Sequence, residues 1–196
     1  MNRDEDQAVR RRLLGAALAL PFVSIHAASG QTLPLTPACG EKPAPTPAQT
    51  PGPFYTPDSP RRSSLIEPGA GGERLVVSGI VLSPRCAPVA NALLDFWHCD
   101  AAGDYDNRGF RYRGHLFADS QGRYRLETVV PGEYPGRTRH IHVKVQAPGG
   151  RVLTTQLYFP DEPRNRSDGI YLPELTMQVA RESGRRDARF DFVVVT

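Results

Sequence analysis

Arg139-His140-Ile141-His142-Val143-Lys144-Val145 alternates polar and apolar residues with a period of two, the pattern of a half-buried β-strand. Successive side chains on such a strand point to opposite faces. Ile141, Val143 and Val145 therefore face a core, and His140 and His142 stand together on the other side. Working outward, the same reading gives strands at residues 74–82, 92–99, 113–118, 124–130, 140–147, 153–159 and 189–196. Turn-forming clusters separate them: Ser83-Pro84-Arg85, Asp119-Ser120-Gln121-Gly122, Pro131-Gly132 and Ala147-Pro148-Gly149-Gly150. Residues 173–180 have some helical spacing but suit a strand equally well. The expected fold class is all-β: a β-sandwich of about seven or more mostly antiparallel strands with long loops.

Composition agrees. The 196 residues, 39% of them hydrophobic, supply one core rather than two. Nineteen prolines and eighteen glycines are many for a helical protein, and most fall between short apolar stretches. Twenty-four basic residues against 21 acidic ones give a net charge of +3, with no long basic run past residue 12. Nothing in that balance points to nucleic acid.

At the N-terminus a polar segment precedes Arg10-Arg11-Arg12, an apolar run over residues 13–23, and small residues at Ala27, Ala28 and Ser29. This is the layout of an export signal, and the apolar run falls well short of the ~20 residues needed to span a bilayer. The paired arginines suggest the twin-arginine route and an exported, periplasmic or extracellular, destination. The organisation read is residues 1–29 as export signal, 30–51 as a Pro/Thr-rich extended leader, and 52–196 as the folded domain. Of three cysteines, Cys39 lies in the leader, Cys86 in a loop and Cys99 at the end of an apolar stretch. An oxidising compartment permits one disulfide; Cys39 with Cys86 is the favoured pairing, Cys99 being a buried thiol.

Two imidazoles on one strand face can reach one metal ion, although an isolated His-x-His is more often a solvated pair. Two phenols lie where they can join them: Tyr105 in a turn leaving one strand and Tyr134 in Pro131-Gly132-Glu133-Tyr134-Pro135, which leads into the histidine strand. No cysteine or carboxylate cluster occupies comparable positions, so a zinc site of the usual N/S type has little to build from. A phenol with a pKa of roughly 10 ionises near neutral pH only beside a strongly Lewis-acidic centre, and hard phenolates with imidazoles suit Fe(III).

The segment Leu94 to Tyr105, then Pro131-Gly132-Glu133-Tyr134-Pro135, then Arg137-Thr138-Arg139-His140-Ile141-His142, resembles the intradiol ring-cleavage dioxygenases in motif and in order. Thr50-Pro51-Gly52-Pro53-Phe54-Tyr55 resembles the segment opening that family's catalytic domain, and Thr155-Gln156-Leu157-Tyr158-Phe159 the strand after its histidines. The resemblance implies an enzyme that opens a catechol-type ring with O2 between the two hydroxyl-bearing carbons, giving a muconate-type dicarboxylate. By position it implies Tyr105, Tyr134, His140 and His142 as Fe(III) ligands, with Tyr134 leaving when the diol arrives. It places Arg137 and Gln156 beside the substrate, Trp97 in the pocket wall, and Tyr55 and Ile170 at its rim. The partners implied are a small aromatic diol and O2, and a homo-oligomer is compatible with the sequence.

Only five residues separate Tyr134 from His140, fewer than in the protocatechuate enzymes of that family, and no helical dimerisation region precedes the domain as in the catechol enzymes. A shorter loop opens one wall of the pocket, so a permissive site is expected. Two other readings compete: a non-catalytic binding sandwich, and a copper or zinc protein adding His98 or His115 to the histidine pair.

Overall fold

The computed structural model describes residues 44–182 and 184–196. The segment read as an export signal, most of the expected leader and Cys39 lie outside the described residues. Cys86 is disulfide-bonded, and Cys99 is a buried free thiol.

Among the described residues nine strands follow in order: β1 (Arg74–Leu82), β2 (Leu93–Trp97), β3 (Arg113–Phe117), β4 (Arg123–Val129), β5 (His140–Gln146), β6 (Val152–Tyr158), β7 (Gln178–Glu182), β8 (Arg185–Arg189) and β9 (Phe192–Val193). They form two sheets, β3-β2-β5-β6 and β4-β1-β8-β7, with β9 added beside β1. The first sheet is antiparallel throughout. In the second, β1 pairs antiparallel with β4 but parallel with β8 and β9. Alternation decides what fills the space between them. Leu94, Phe96, Ile141, Val143, Val145 and Leu157 come inward from the first sheet, and Leu75, Val77, Tyr124, Leu126, Ala188 and Phe192 from the second, all buried in one core.

The C-terminal segment departs from the single strand expected over residues 189–196. β8 ends at Arg189, the chain steps out at Asp191, and β9 resumes the parallel pairing one stretch further along β1. The buried Asp191 carboxylate takes over the missing ladder bond by accepting Ile80 N–H at 2.8 Å, and pairs with Arg189 at 3.1 Å. Gly79 makes the step fit, since a Cβ there would stand 1.8 Å from the Phe190 carbonyl oxygen. Residues 173–180 hold only a 3-10 turn at Pro173–Leu175 before β7 begins. The β7–β8 hairpin carries opposed charges, Glu182 across from Arg185, rather than the apolar alternation that marks the other strands. No helix among the described residues is long and apolar enough to cross a membrane.

Before β1 the chain runs along the open edge of β6 and then, from Gly52, over the outer face of the first sheet, the face that carries His140 and His142. Gln49 N–H donates to Thr154 O (2.7 Å), Thr155 Oγ1 to Pro47 O (2.7 Å) and Gln156 Nε2 to Thr50 O (3.0 Å). This cover turns one end of an otherwise solvent-facing sheet surface into a buried site.

Candidate metal centre

Strand register assembles the site. His142 on β5 lies opposite Trp97 on β2 and Gln156 on β6, and His140 lies opposite Tyr158. All five side chains project from the outer face under the covering segment and are buried. Gly52 brings that segment down onto the histidines: its φ is +65°, and a Cβ there would lie 3.4 Å from His142 Cε1.

Each tyrosine comes from a loop, and glycines let the two loops touch. Asp100 closes the turn after β2 by accepting the N–H groups of Ala102 and Asp104 at 2.9 and 3.0 Å. Gly132 N–H then donates to Asp100 O at 2.7 Å. A Cβ on Gly103 would sit 2.3 Å from Glu133 O, and one on Gly132 would sit 2.4 Å from Gly103 N. Backbone contact this close delivers Tyr105 and Tyr134, the residues that follow, to the same place. Their ring centroids are 5.7 Å apart, nearly perpendicular.

The four predicted donors converge. His140 Nδ1 sits 2.6 Å from Thr138 O and so carries the donated proton, leaving the lone pair on Nε2. That Nε2 is 3.2 Å from His142 Nε2 and 3.4 Å from the Tyr134 hydroxyl. Tyr105 stands beside them, its ring centroid 6.4 Å from that of His142, its buried hydroxyl without a hydrogen-bond partner among the described residues. Bonds of about 2 Å from one ion to its nitrogen and oxygen ligands span donor pairs about 3 Å apart, the spacing found here. The site thus fits a metal ion on its own geometry.

Burial sets the protonation states. Desolvation lowers His140 to about 4 and His142 well below the ordinary imidazole range, with neighbouring cationic groups adding to the effect. Both rings are neutral and available as ligands. Desolvation also raises both phenols. Each holds its proton until a cation of high charge displaces it. The Arg137 guanidinium opposes that rise at Tyr134, donating from Nη1 to the hydroxyl at 3.3 Å.

The remaining expected residues are placed as follows. Arg137 Nη2 donates to Gln156 Oε1 at 2.6 Å, so the two form one polar edge. Trp97 lies flat against His142. Tyr55 packs on the far side of Trp97 (4.8 Å between centroids), donates to Asp95 at 3.2 Å, and carries Lys144 Nζ 3.5 Å from its ring centroid, one layer away from the donors. Ile170 is exposed, its carbonyl accepting from Tyr158 at 3.1 Å and Gln49 at 2.5 Å. A cleft of about 570 Å³ opens beside the donors between Tyr134–Thr138 and Arg164–Asp168.

The competing histidines are elsewhere engaged. His98 is held between Cys99 O (2.6 Å) and Thr128 Oγ1 (2.7 Å), and His115 bonds Ser59 O at 2.7 Å. No group of three His, Cys, Asp or Glu among the described residues could hold a metal.

Sequence reading passed over Phe54, Arg113 and Asp168. Phe54 stacks on Tyr105 (4.3 Å, 20°) and meets Tyr134 edge-on. Arg113 is fully buried with its guanidinium carbon 6.0 Å from the Tyr105 centroid, donating to the carbonyls of Asp106 and Phe54. Phe54 stood within a quoted motif, so its aromatic side chain was a usable signal. The others act across long sequence separations that no local pattern announces.

Fold and site together define a β-sandwich protein in which two imidazoles on one sheet face cluster with two phenols from adjoining loops. The family model described as Dioxygenase matches residues 51–194. The chain is 30% identical over 148 residues to a catechol 1,2-dioxygenase of Candida albicans, covering 61% of this chain and 49% of that protein. It is 36% identical over 129 residues to a protocatechuate 3,4-dioxygenase beta chain of Burkholderia cepacia, covering 57% and 54%. Among solved structures, the dioxygenase domain of a dioxygenase carbohydrate-binding protein fusion from Streptomyces sp. SirexAA-E is 52% identical with a TM-score of 0.76, covering 78% of this chain and 99% of that one. A 3-chlorocatechol 1,2-dioxygenase of Rhodococcus opacus 1CP is 28% identical with a TM-score of 0.71, covering 77% and 73%. The chain belongs to the intradiol ring-cleavage dioxygenase family. It spans about half the length of the curated relatives it matches.

Proposed function

We propose that this chain is an iron(III)-dependent intradiol dioxygenase that cleaves a catechol-type ring between its hydroxyl-bearing carbons to give a muconate-type dicarboxylate. The observation that carries the reading is the approach of His142 Nε2 (3.2 Å) and the Tyr134 hydroxyl (3.4 Å) to His140 Nε2, beside a buried Tyr105 hydroxyl with no hydrogen-bond partner among the described residues. Tyr105, Tyr134, His140 and His142 would hold the ion. Ferric iron held there would supply the Lewis acidity that lowers the pKa of the phenols and of the diol.

This chain's own residues supply position and charge. The two tyrosines differ in what surrounds them. Tyr105 is packed under Phe54 beside the buried Arg113, which suits a permanent ligand. Tyr134 faces the open cleft and is already hydrogen-bonded by Arg137, which suits a ligand that departs. As phenolate it can take a proton from an incoming diol, so no separate carboxylate base is required. Arg137 then faces the substrate ring with its charge, favouring carbanion character at the carbon attacked by O2. Gln156, bonded to Arg137, and Trp97, stacked on His142, would border the bound ring.

The cleft is bounded by the short loop 135–139 and opens past Gly136, where a Cβ would meet nothing within 4 Å. This supports acceptance of ring-substituted catechols. The disulfide at Cys86 supports the reading of residues 1–29 as an export signal, because structural disulfides persist in oxidising compartments. The test is metal analysis with spectroscopy. Purified protein supplied with iron should hold one iron per chain and show a red-brown phenolate-to-iron absorption band; a colourless protein that takes up no iron would reject the reading.

A further inference from the structure

Arg137 has a partner on the opposite wall of the cleft. Asp168 Oδ2 accepts Arg137 Nε–H at 2.9 Å, and the carboxylate is almost wholly buried. The same oxygen accepts the Thr138 N–H at 2.9 Å, while Oδ1 accepts the Ile170 N–H at 3.1 Å. These donors hold its pKa below the usual carboxylate range against the burial that would raise it. Held at Nε, the guanidinium can point only one way: Nη1 lies 3.3 Å from the Tyr134 hydroxyl and Nη2 lies 2.6 Å from Gln156 Oε1. Other links also join the walls: Thr138 Oγ1 donates to Asn165 Oδ1 at 2.7 Å and Arg164 Nη1 to Tyr134 O at 3.3 Å, while the Arg164–Glu133 pair at 3.1 Å sits among half-exposed side chains, where an ion pair holds little.

We propose that Asp168 is a positioning residue for the reaction: it fixes the guanidinium of Arg137 in the orientation that reaches both the departing Tyr134 hydroxyl and the substrate ring. The inference rests on the proposed dioxygenase function. A flexible arginine tethered at one end samples many rotamers, and Asp168 removes that freedom before substrate arrives. It also divides the labour of charge. Asp168 offsets the cation in the resting pocket, so Arg137 need not be balanced by Tyr134, and the phenolate is free to leave.

The experiment compares Asp168→Asn, Arg137→Ala and the double variant in iron-loaded protein. Iron content, thermal unfolding, kcat and the Kd for catechol from anaerobic optical titration are read for each. D168N should keep full iron content and a catechol Kd within about threefold of wild type, while kcat falls between about 10-fold and 100-fold. Added to R137A, it should change kcat by less than about twofold, since a residue acting through Arg137 has nothing left to act through. A kcat for D168N within about twofold of wild type, or an equal loss with and without Arg137, overturns the proposal. If D168N does not fold, Arg137→Lys decides: it leaves both main-chain bonds of Asp168 intact but loses the Nε link, and a kcat within about twofold of wild type overturns the proposal. Wild-type protein that consumes no O2 with any catechol overturns the underlying reading instead.

Discussion

The indole of Trp97 lies parallel to the imidazole of His142, with centroids 4.8 Å and planes 3° apart. His140 is oriented differently, by donation from its Nδ1 to Thr138 O. His142 Nδ1, though buried, has no such acceptor among the described residues. One proposed ligand is therefore aimed by a hydrogen bond and the other by stacking, with Gly52 closing the free side of the ring.

Trp97→Phe should thus loosen His142 more than it disturbs the fold. Groups that orient a metal-bound histidine contribute about 10- to 100-fold in affinity. We expect iron affinity to fall by about tenfold in competition with a chelator, while circular dichroism stays unchanged. Unaltered affinity would show that the stack does not orient the ring.

Gly52→Ala should disturb the same histidine through the backbone of the covering segment. The left-handed backbone costs an alanine about 1 to 2 kcal/mol, and its methyl carbon would stand 3.4 Å from His142 Cε1. Both a lower melting temperature and weaker iron retention are expected. Wild-type values for both would contradict the close approach.

The two tyrosines should respond unequally to loss of their hydroxyls. Tyr105→Phe removes the phenol packed under Phe54 and should abolish most iron binding. Tyr134→Phe removes the one facing the cleft, and should retain iron with an altered visible band and a kcat lowered by about 100-fold or more. Equal iron loss in both variants would remove the distinction between resident and departing ligand.

The metal-free protein should weaken in mild acid. His140 and His98 are depressed to about 4, and His142 lies well below the ordinary imidazole range, each chiefly by burial. The unfolded chain takes up protons near 6.5, and the folded one refuses them. Stability is then complete above about pH 6.5 and falls progressively toward pH 4, by on the order of 3 kcal/mol for each of His98 and His140. Denaturant unfolding at pH 7.5 and pH 5 checks the sign: a flat profile would show that these rings are not held neutral in the folded state.

Most of the sandwich was legible because period-two alternation is a local signal. Residues 140–146 show it clearly, with Ile141, Val143 and Val145 inward and the histidines outward. The β7–β8 hairpin was not legible, since Glu182 faces Arg185 on a solvated edge and only residues such as Ala188 reach the core. Asp191 hid the break between β8 and β9: a single buried carboxylate substitutes for backbone pairing, which no alternation rule encodes. At the site, strand periodicity and family motifs named the four donors. Their cover came from tertiary contact: Gly52 over His142, Phe54 over Tyr105, and Asp168 behind Arg137, 31 residues away in sequence.

The measurement that bears most directly on the account is the identity of the product formed from catechol by the iron-loaded protein under O2. Cleavage between the hydroxyl-bearing carbons yields the colourless muconate dicarboxylate, with one O2 consumed per ring. A yellow semialdehyde from cleavage beside the diol, or an oxidised quinone with the ring intact, would contradict it.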